Sequence, residues 1–277
     1  MGCGEWAEYQ GDGARRDGQG LGRVKKDCGI MEHSNKWSWQ ERSLLFLGEE
    51  RMQKLRDSGV IVVGLGGVGA YAAEMIVRAG VGKIVIIDSD VVTHTNKNRQ
   101  LLALESTMGR YKSELMEERL KDINPELDIV SINEYLTEEN VETLLSPFNP
   151  DFIVDAIDTL SPKIALIKYA VSKGINLVSS MGAGAKSDAT KVTVKDISKS
   201  YNCPLAYILR KKLRKEGISK GFRVVFSEEL PDSDAIVPVE EQNKKSMVGT
   251  ISYLPAVFGC LCAQVVLEDL LSLNEKK

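Results

Sequence analysis

Residues 60–69 read VIVVGLGGVG, a run of β-branched residues that ends in four closely spaced glycines. Followed by the apolar residues of 71–77, this pattern predicts a buried strand, a tight turn and the start of a helix. Gly64 and Gly66 permit the turn and a close approach of the backbone to a ligand, and Gly69 lets the helix lie against the strand. Because a helix N-terminus presents unpaired N–H groups, we predict that the turn holds a phosphate.

A second apolar run, KIVIID at residues 83–88, ends in an acidic residue. Asp88 lies about 20 residues beyond the glycines, where a carboxylate can hydrogen-bond a ribose hydroxyl. Strand, turn, helix and acid therefore occur in the order that binds a nucleotide. Both a dinucleotide and ATP are compatible with that order.

Apolar runs and helical patterns alternate along the rest of the chain. Such alternation gives right-handed crossovers and a mostly parallel sheet with helices on both faces. We predict an α/β fold: a Rossmann-like, doubly wound, mostly parallel sheet with an antiparallel C-terminal extension formed by the runs at 191–197 and 222–227. Two short helices are expected between Trp39 and Leu55. The five core strands are predicted at residues 60–63, 83–87, 128–132, 152–155 and 176–180.

Composition excludes several classes of protein. The 277 residues carry a net charge of -3 and are 43% hydrophobic, enough for a packed core but without a global attraction to nucleic acid. The five cysteines form no CxxC pair, which argues against a disulfide framework or structural zinc and favours a reducing, cytoplasmic location. Residues 1–30 are rich in glycine and charge, so we predict a disordered tail there and a single domain over 31–277.

The residues that follow Asp88 distinguish ATP from a dinucleotide. Residues 88–100 read DSDVVTHTNKNRQ, and Lys112 follows at the start of the next helical pattern. A triphosphate carries more charge than a diphosphate, so cationic side chains beside the helix N-terminus favour ATP. Arg99 can form paired hydrogen bonds with phosphate oxygens, and Lys112 can reach the same charge. Asp158 follows the fourth strand at the ligand-binding edge of the sheet, where a carboxylate can hold Mg²⁺.

The motifs GxGGVG, DxDxV, NxxRQ, a lysine and DxxD occur here in that order. Together they resemble the adenylating family of ubiquitin-activating enzymes and the bacterial relatives that activate sulfur-carrier proteins. The resemblance implies an ATP-binding domain in which Arg99, Lys112 and Asp158 are catalytic and Asp158 also binds the metal ion. The nucleotide-binding residues that it implies are Gly64, Gly66, Gly67, Gly69, Asp88, Asn96, Arg99, Lys112 and Asp158.

The second half of the chain resembles one branch of that family, the tRNA threonylcarbamoyladenosine dehydratases. The stretches QERSLLFLGEE, VDAIDTLSPK, SSMGAG and RVVFSEE carry this resemblance. The branch implies ATP-dependent dehydration, by cyclisation, of threonylcarbamoyladenosine next to the tRNA anticodon, through an acyl-adenylate of the threonyl carboxylate. It also implies ATP and Mg²⁺ as cofactors, tRNA as a partner, and a homodimer.

Two other functions stay open at this point. Adenylation of the C-terminus of a ubiquitin-like sulfur-carrier protein is the alternative enzyme activity, although the enzymes that perform it normally hold zinc on CxxC pairs. A nucleotide-sensing module without enzyme activity is the third. A sulfur-relay partner would need a reactive thiol, and Cys203 is the candidate because it precedes Pro204 at a predicted helix start, where a thiolate is favoured. A lone cysteine is more often a small buried side chain.

A dense cationic segment lies within the predicted tRNA-facing extension, residues 185–250. Residues 209–223 read LRKKLRKEGISKGFR and contain a single acid. Such a segment can contact tRNA phosphates, or can simply be a solvated helix face. The apolar residues predicted to bury the other face are Leu205, Ile208, Leu209 and Leu213. The residues predicted to bind tRNA are Arg210, Lys211, Arg214, Lys215, Lys220 and Arg223.

Residues 246–267 contain no charged side chain and reach membrane-spanning length. Polar residues, glycine and proline dilute their apolar character, so a helix packed between the sheet and a second subunit fits them better than a membrane span. We predict an apolar C-terminal helix at 246–273 that contributes to a homodimer, and no stable membrane insertion.

Overall fold

The computed structural model of the chain describes residues 35–238 and 246–272. The chain divides into a short unit, Met1–Ser38, and a compact unit, Trp39–Lys277, which holds the elements discussed below. The tail predicted at residues 1–30 lies outside the described residues.

A seven-stranded sheet organises the compact unit, with the strand order β3-β2-β1-β4-β5-β7-β6. All neighbouring pairs are parallel except β7 and β6, which are antiparallel. The five predicted core strands and the predicted fold class are confirmed, with β1 beginning one residue earlier than predicted. The strands are β1 (Gly59–Val63), β2 (Lys83–Ile87), β3 (Asp128–Ile132), β4 (Phe152–Asp155), β5 (Asn176–Ser180), β6 (Val192–Asp196) and β7 (Arg223–Ser227).

The C-terminal extension differs from the prediction in one strand direction. Both runs beyond β5 were expected to be antiparallel, but β7 pairs parallel with β5 and only β6 is antiparallel. The reason is the path of the segment between β6 and α7. Asp196 pairs in register with Arg223 at the start of β7, whereas Asn202 donates a hydrogen bond to the carbonyl of Glu228 just beyond its end. Residues 197–203 thus return the chain to the carboxyl edge, so β7 re-enters the sheet in the direction of β5.

Helices cover both faces of the sheet. The predicted pair of short helices ahead of β1 is confirmed, and Gly48, with a φ of 79°, separates them. The α-helices are α1 (Glu41–Leu47), α2 (Glu49–Asp57), α3 (Gly69–Ala79), α4 (Lys112–Ile123), α5 (Val141–Leu145), α6 (Leu160–Lys173), α7 (Pro204–Lys215) and α8 (Tyr253–Leu270). Short 3-10 helices lie at Asn35–Gln40, His94–Asn96, Glu105–Thr107, Ala189–Lys191, Ile197–Lys199 and Ser233–Ala235.

Two hydrophobic cores lie on opposite faces of the sheet. Val60 and Val62 of β1 belong to a core with residues of α3, α4 and α8, whereas Ile61 and Val63 belong to a core with residues of α5, α6 and α7. Successive strand residues point to opposite faces, so a strand covered on both sides must be apolar at every position. This explains why the strand runs in the sequence do not alternate with polar residues.

The C-terminal helix begins later than predicted. Residues 246–248 form a strand, β9 (Ser246–Val248), which pairs antiparallel with β8 (Ile236–Pro238), and α8 begins only at Tyr253. By length and composition α8 could cross a membrane, but half of it is buried inside the chain. It packs closely on α3. This is seen at Gly259, where a Cβ atom would lie only 2.5 Å from the carbonyl oxygen of Val68 at the start of α3. Packing within this chain therefore accounts for the apolar residues on the buried half of the helix.

A buried ion pair joins the carboxyl end of β4 to α6. Lys163 Nζ lies 2.9 Å from Asp155 Oδ2, and both side chains are fully buried. Ser179 Oγ donates to the same carboxylate oxygen at 2.6 Å, the Ile157 amide donates to Oδ1 at 3.2 Å, and Lys163 donates to the Ile157 carbonyl at 2.9 Å. Because both charged groups have lost their water, each depends on the other for compensation. The pair therefore fixes the backbone where β4 ends.

Replacing one partner of this pair should destabilise the fold strongly. We expect Lys163→Met to lower the free energy of unfolding by about 3–5 kcal/mol, because Asp155 would remain buried without its counter-charge. Lys168→Met is the matched control on the same helix, since the exposed pairs of Lys168 with Glu138 and Glu216 should contribute less than about 1 kcal/mol. Urea unfolding measures both variants, and equal losses would contradict the expectation.

Candidate nucleotide-binding site

The glycine-rich turn lies where the strand order reverses. It leaves the carboxyl end of β1, which is flanked by β2 on one side and β4 on the other, the position at which open α/β sheets bind ligands. Gly64 has a φ of +90°, and a Cβ atom there would lie 2.8 Å from the carbonyl oxygen of Ala156. A Cβ atom on Gly69 would lie 1.7 Å from the carbonyl oxygen of Gly64. The helix α3 can therefore begin directly after β1 only because Gly69 lacks a side chain. The N–H groups at its N-terminus then lie at the carboxyl end of β1, where they can bind an anion.

The other two glycines of the turn face residues of the loop after β2 and of the first turn of α8. A Cβ atom on Gly66 would lie 3.7 Å from Gln100 Nε2, and one on Gly67 would lie 3.5 Å from Arg99 Cγ and 3.0 Å from Pro255 Cβ. Side chains at these positions would fill the space between the turn and the loop that carries Arg99. The structure thus brings the stem of Arg99 directly against the turn.

Asp88 connects the turn to β2. Its Oδ2 accepts a hydrogen bond from the Leu65 amide at 2.5 Å, and its Oδ1 accepts one from the Asp90 amide at 2.8 Å. Burial raises the pKa of the Asp88 carboxyl group, and the positive charge of Lys112 partly offsets this effect. Lys112 is itself buried and donates from Nζ to Asp90 Oδ2 at 2.8 Å. Asp88 and Lys112 are therefore brought together beside the turn.

Asn96 anchors the loop between β2 and α4. It ends the 3-10 helix His94–Asn96, it is buried, and its Oδ1 accepts a hydrogen bond from the Thr93 amide at 3.1 Å. Its carbonyl accepts hydrogen bonds from the amides of Arg99 at 3.1 Å and Gln100 at 2.9 Å. The side chain and carbonyl of Asn96 thus hold the backbone that carries Arg99.

The guanidinium group of Arg99 is hydrogen-bonded within its own loop. Its NH1 donates to the Thr95 carbonyl at 2.9 Å and to Asn98 Oδ1 at 2.7 Å. The side chain therefore lies beside the glycine turn with one edge of the guanidinium group held by the loop.

Asp158 is exposed and follows the end of β4 by three residues. Within residues 35–238 and 246–272, no group of three or more His, Cys, Asp or Glu side chains could hold a metal ion. Mg²⁺ is commonly bound by one or two carboxylates together with water and substrate phosphates. The donor set at Asp158 fits a magnesium ion that is shared with a nucleotide.

Asp155, the first acid of the DxxD motif, is a site residue that the sequence interpretation missed. It is fully buried against Lys163, and the next residue, Ala156, contacts the glycine turn at Gly64 and Gly69. The pair therefore fixes the β4 side of the site without facing solvent. A lysine within the otherwise apolar helical pattern LSPKIALI was the available signal.

The cationic segment is divided between the surface and the interior. In α7 the buried residues are Ala206, Leu209 and Leu213, whereas Ile208, predicted to be buried, is 43% exposed. The predicted burial of Ile208 is wrong. The buried face of α7 follows positions 206, 209 and 213, and position 208 lies outside this face. The exposed cations of the segment are Lys211, Lys212, Arg214, Lys215 and Lys220.

Two of the predicted tRNA-binding residues have partners within the chain. Arg210 donates to the Ser200 carbonyl at 2.7 Å. Arg223 forms ion pairs with Asp269 and, at 3.7 Å, with Glu268 of α8. Both residues therefore stabilise the surroundings of α7 and β7 in this structure.

Cys203 caps the N-terminus of α7 at the predicted helix start and is buried. Beside it, Lys186 donates from Nζ to the carbonyls of Asn202 at 3.3 Å and Ser227 at 3.0 Å. Burial lowers the pKa of Lys186, and nearby acidic groups, Cys203 among them, partly offset this effect. Burial raises the pKa of the Cys262 thiol in α8 to about 12. Neither thiol is presented at the surface.

The site combines the groups that bind and polarise phosphates. The stem of Arg99 packs against the turn from which α3 begins. The Asp88 carboxylate accepts from the Leu65 amide of that turn and lies near the charge of Lys112. Fixed positive groups of this kind stabilise negative charge that develops on phosphoryl oxygens during a reaction.

Comparisons with known proteins agree with this geometry. A family model described as the ThiF family matches residues 40–277. The chain is 41% identical over 242 residues to the tRNA threonylcarbamoyladenosine dehydratase of Bacillus subtilis, covering 83% of this chain and 93% of that protein. It is 39% identical over 213 residues to the protein of the same name from Escherichia coli, covering 72% of this chain and 79% of that protein.

A solved structure extends the likeness to three dimensions. The crystal structure of the E. coli tRNA N6-threonylcarbamoyladenosine dehydratase, TcdA, in complex with ATP matches with a TM-score of 0.79 at 33% identity, covering 88% of this chain and 98% of that one. The chain belongs to the ThiF family, in the branch that contains the tRNA threonylcarbamoyladenosine dehydratases.

Proposed function

We propose that this chain catalyses the ATP-dependent dehydration of threonylcarbamoyladenosine next to the anticodon of tRNA, by cyclisation through an acyl-adenylate. The observation that supports the proposal is the glycine turn at the start of α3, with the stem of Arg99 packed against it and Asp88, near the charge of Lys112, bonded to its Leu65 amide. The relatives supply the substrate class, since they are named for this reaction and TcdA has been crystallised with ATP.

The first step activates the threonyl carboxylate. One carboxylate oxygen attacks the α-phosphorus of ATP, and the bond from that phosphorus to the bridging oxygen of pyrophosphate breaks. Arg99 and Lys112 stabilise the negative charge that grows on the phosphoryl oxygens, together with the N–H groups of α3. Asp88 accepts a hydrogen bond from a ribose hydroxyl and so holds the nucleotide in place for in-line attack.

The second step closes the ring. A nucleophilic atom of the same threonylcarbamoyl group attacks the activated carbonyl carbon and loses a proton, and AMP leaves with one former carboxylate oxygen. The nucleoside therefore loses one water, while ATP becomes AMP and pyrophosphate. Because both reacting groups belong to one side chain, their effective concentration is high without a protein nucleophile. The burial of Cys203 agrees with that requirement.

Magnesium fits this scheme as a companion of ATP. Asp158 would hold the ion together with the phosphates, and the bound ion would neutralise part of the triphosphate charge. The exposed position of Asp158 after β4 supports this assignment.

Removing the positive charge of Arg99 or of Lys112 should strongly slow the first step, the formation of the acyl-adenylate. We expect Arg99→Ala and Lys112→Ala each to lower AMP formation on tRNA that carries the modification by about 100-fold or more, because each removes a group that stabilises the transition state. Lys121→Ala is the control on the same helix as Lys112, since Lys121 is paired with Glu117 at the surface. AMP release by each variant is measured. A chelator that removes Mg²⁺ should also stop AMP release by the wild-type protein.

Retained turnover in both variants would contradict the assignment of the site. AMP release that requires a carrier protein ending in Gly-Gly, and not tRNA, would instead identify sulfur-carrier adenylation. That alternative is not favoured, because the chain has no CxxC pair and its relatives are named as dehydratases.

We further propose that the exposed cations of α7 and of the loop that follows contact tRNA phosphates. Lys211, Arg214 and Lys215 lie on one helix, α7, that buries Ala206, Leu209 and Leu213, and Lys220 lies beyond its end. Arg210 and Arg223 would act by holding this surface in place through their contacts with Ser200 and α8. Clustered cations on an otherwise acidic protein give the local attraction that tRNA requires.

Neutralising the exposed cations should weaken tRNA binding without affecting ATP. We expect the triple change Lys211→Ala, Arg214→Ala and Lys215→Ala to raise the KM for tRNA. The salt dependence of binding should also fall, by about one unit of slope for each phosphate that the variant no longer neutralises. A variant with Arg51→Ala and Lys54→Ala on α2 is the control. An unchanged salt slope would show that α7 is only a solvated helix face.

A homodimer is also proposed. The segment at 246–267 was predicted to pack between the sheet and a second subunit, and since half of α8 is buried inside the chain, its contact with a second subunit stays a prediction. The exposed apolar surface lies on α1, where Leu45 and Phe46 are 83% and 84% exposed. Adjacent exposed side chains of this size mark a protein contact, and a second copy of the chain is the partner that we propose for it.

A charge on this surface should separate the subunits. We expect the wild-type chain to be a dimer by light scattering and Phe46→Glu to be a monomer, because burying an unpaired carboxylate is costly. Leu230→Glu is the control, since Leu230 is also 75% exposed but lies elsewhere. A monomeric wild-type chain would defeat this proposal.

A sulfur-relay partner has the weakest basis among the predicted partners. Cys203 is buried, and Cys260 of α8 is the exposed cysteine among the described residues. We propose no sulfur transfer in the reaction described above.

A further inference from the structure

The amide of Asn98 links two parts of the site that are far apart in sequence. Its Oδ1 accepts a hydrogen bond from Arg99 NH1 at 2.7 Å, and its Nδ2 donates to the Thr250 carbonyl at 3.0 Å. A guanidinium group can only donate and a carbonyl can only accept, so a single orientation of the amide satisfies both partners. Asn98 is therefore held at both ends of its side chain.

The contact with Asn98 determines which edge of the Arg99 guanidinium group is available to bind a phosphate. Both hydrogens of NH1 are used, one toward the Thr95 carbonyl and one toward Asn98 Oδ1. Within the part of the chain that the structure describes, Nε and NH2 of Arg99 form no hydrogen bond. The Nε and NH2 edge is one of the two forks through which a guanidinium group can bind a phosphate with two parallel hydrogen bonds. Asn98 thus holds Arg99 by the edge that phosphate does not need.

Thr250 belongs to a segment, residues 248–255, that we call the bridging segment. On one side, its Pro255 packs against the glycine turn, 3.0 Å from the position of a Cβ atom on Gly67. On the other side, the Gly249 carbonyl accepts a hydrogen bond at 2.7 Å from the Ala185 amide, in the loop after β5. The bridging segment therefore spans the carboxyl edge of the sheet from the turn to β5.

We propose that Asn98 is a positioning residue that couples ATP binding to the bridging segment. A phosphate on the free edge of Arg99 fixes the guanidinium, the fixed NH1 holds Oδ1 of Asn98, and Nδ2 then holds the Thr250 carbonyl. ATP binding consequently orders the bridging segment before the second substrate is bound. The inference rests on the proposed function only in taking ATP as the ligand, and it concerns a residue to which the family motifs assign no role.

Hydrogen–deuterium exchange of the full chain, with and without ATP and Mg²⁺, tests this coupling. In the wild-type protein ATP should slow exchange both in the glycine turn, 64–69, and in the bridging segment. In Asn98→Leu, which has a similar volume but neither hydrogen-bonding group, protection of the turn should remain and protection of the bridging segment should be lost. Lys97→Gln is the control, because this exposed neighbour is paired with Glu105 and should retain both effects.

The outcomes separate this inference from the proposed function. Protection of the turn without protection of the bridging segment in the wild-type protein would overturn the coupling and leave the nucleotide site intact. Protection of neither segment would overturn the proposed function and the inference with it. Because this comparison uses the wild-type protein, it stays decisive if the Asn98 variant fails to fold.

A double-mutant cycle tests whether Asn98 acts through Arg99. We expect Asn98→Leu to raise the Kd for ATP about tenfold, as for the loss of a hydrogen bond to a charged group. In an Arg99→Ala background the same change should add less than about twofold, because the group that Asn98 positions is already absent. The Kd values are measured by calorimetry. If the two changes raise the Kd by independent factors that multiply in the double variant, the positioning role is overturned.

Discussion

The contact between the start of α3 and the end of β1 is the constraint on which the site depends. A Cβ atom on Gly69 would lie 1.7 Å from the carbonyl oxygen of Gly64, so the helix can begin there only with glycine. That closeness places the unpaired N–H groups of the helix at the switch point of the sheet. The residues around the turn are then arranged with respect to it: Asp88 accepts from the Leu65 amide, and Arg99 packs against Gly67.

Buried charge makes the remaining edges of the site rigid. Asp155 and Lys163 compensate each other inside the protein where β4 ends, and Lys112 is buried with its ammonium group directed at Asp90. Preorganised groups of this kind need little rearrangement when charge develops on a substrate. Arg99 differs, because the residues that orient it lie in an exposed loop that also contacts the bridging segment. The site thus combines a rigidly held cation, Lys112, with a cation that is held by an exposed loop, Arg99.

The sequence predicts the fold better than it predicts the contacts of the site. Strands covered on both faces are largely apolar and do not alternate with polar residues, which is why all five core strands were located from their sequence. The direction of β7 could not be predicted, because it depends on the path of residues 197–203, which return the chain to the carboxyl edge of the sheet. Motif order predicts a nucleotide site with Asp88, Arg99 and Lys112. It carries no information on the contact of Asn98 with Thr250, which is distant in sequence, or on the burial of Asp155, which depends on how α6 packs against β4.

Mass spectrometry of the modified nucleoside tests the central claim most directly. The wild-type protein is incubated with ATP and tRNA that carries threonylcarbamoyladenosine, and the digested nucleoside and the AMP formed are both quantified. The account predicts that the nucleoside loses one water for each AMP released. Release of AMP with an unchanged nucleoside mass, or loss of water without ATP, would contradict it.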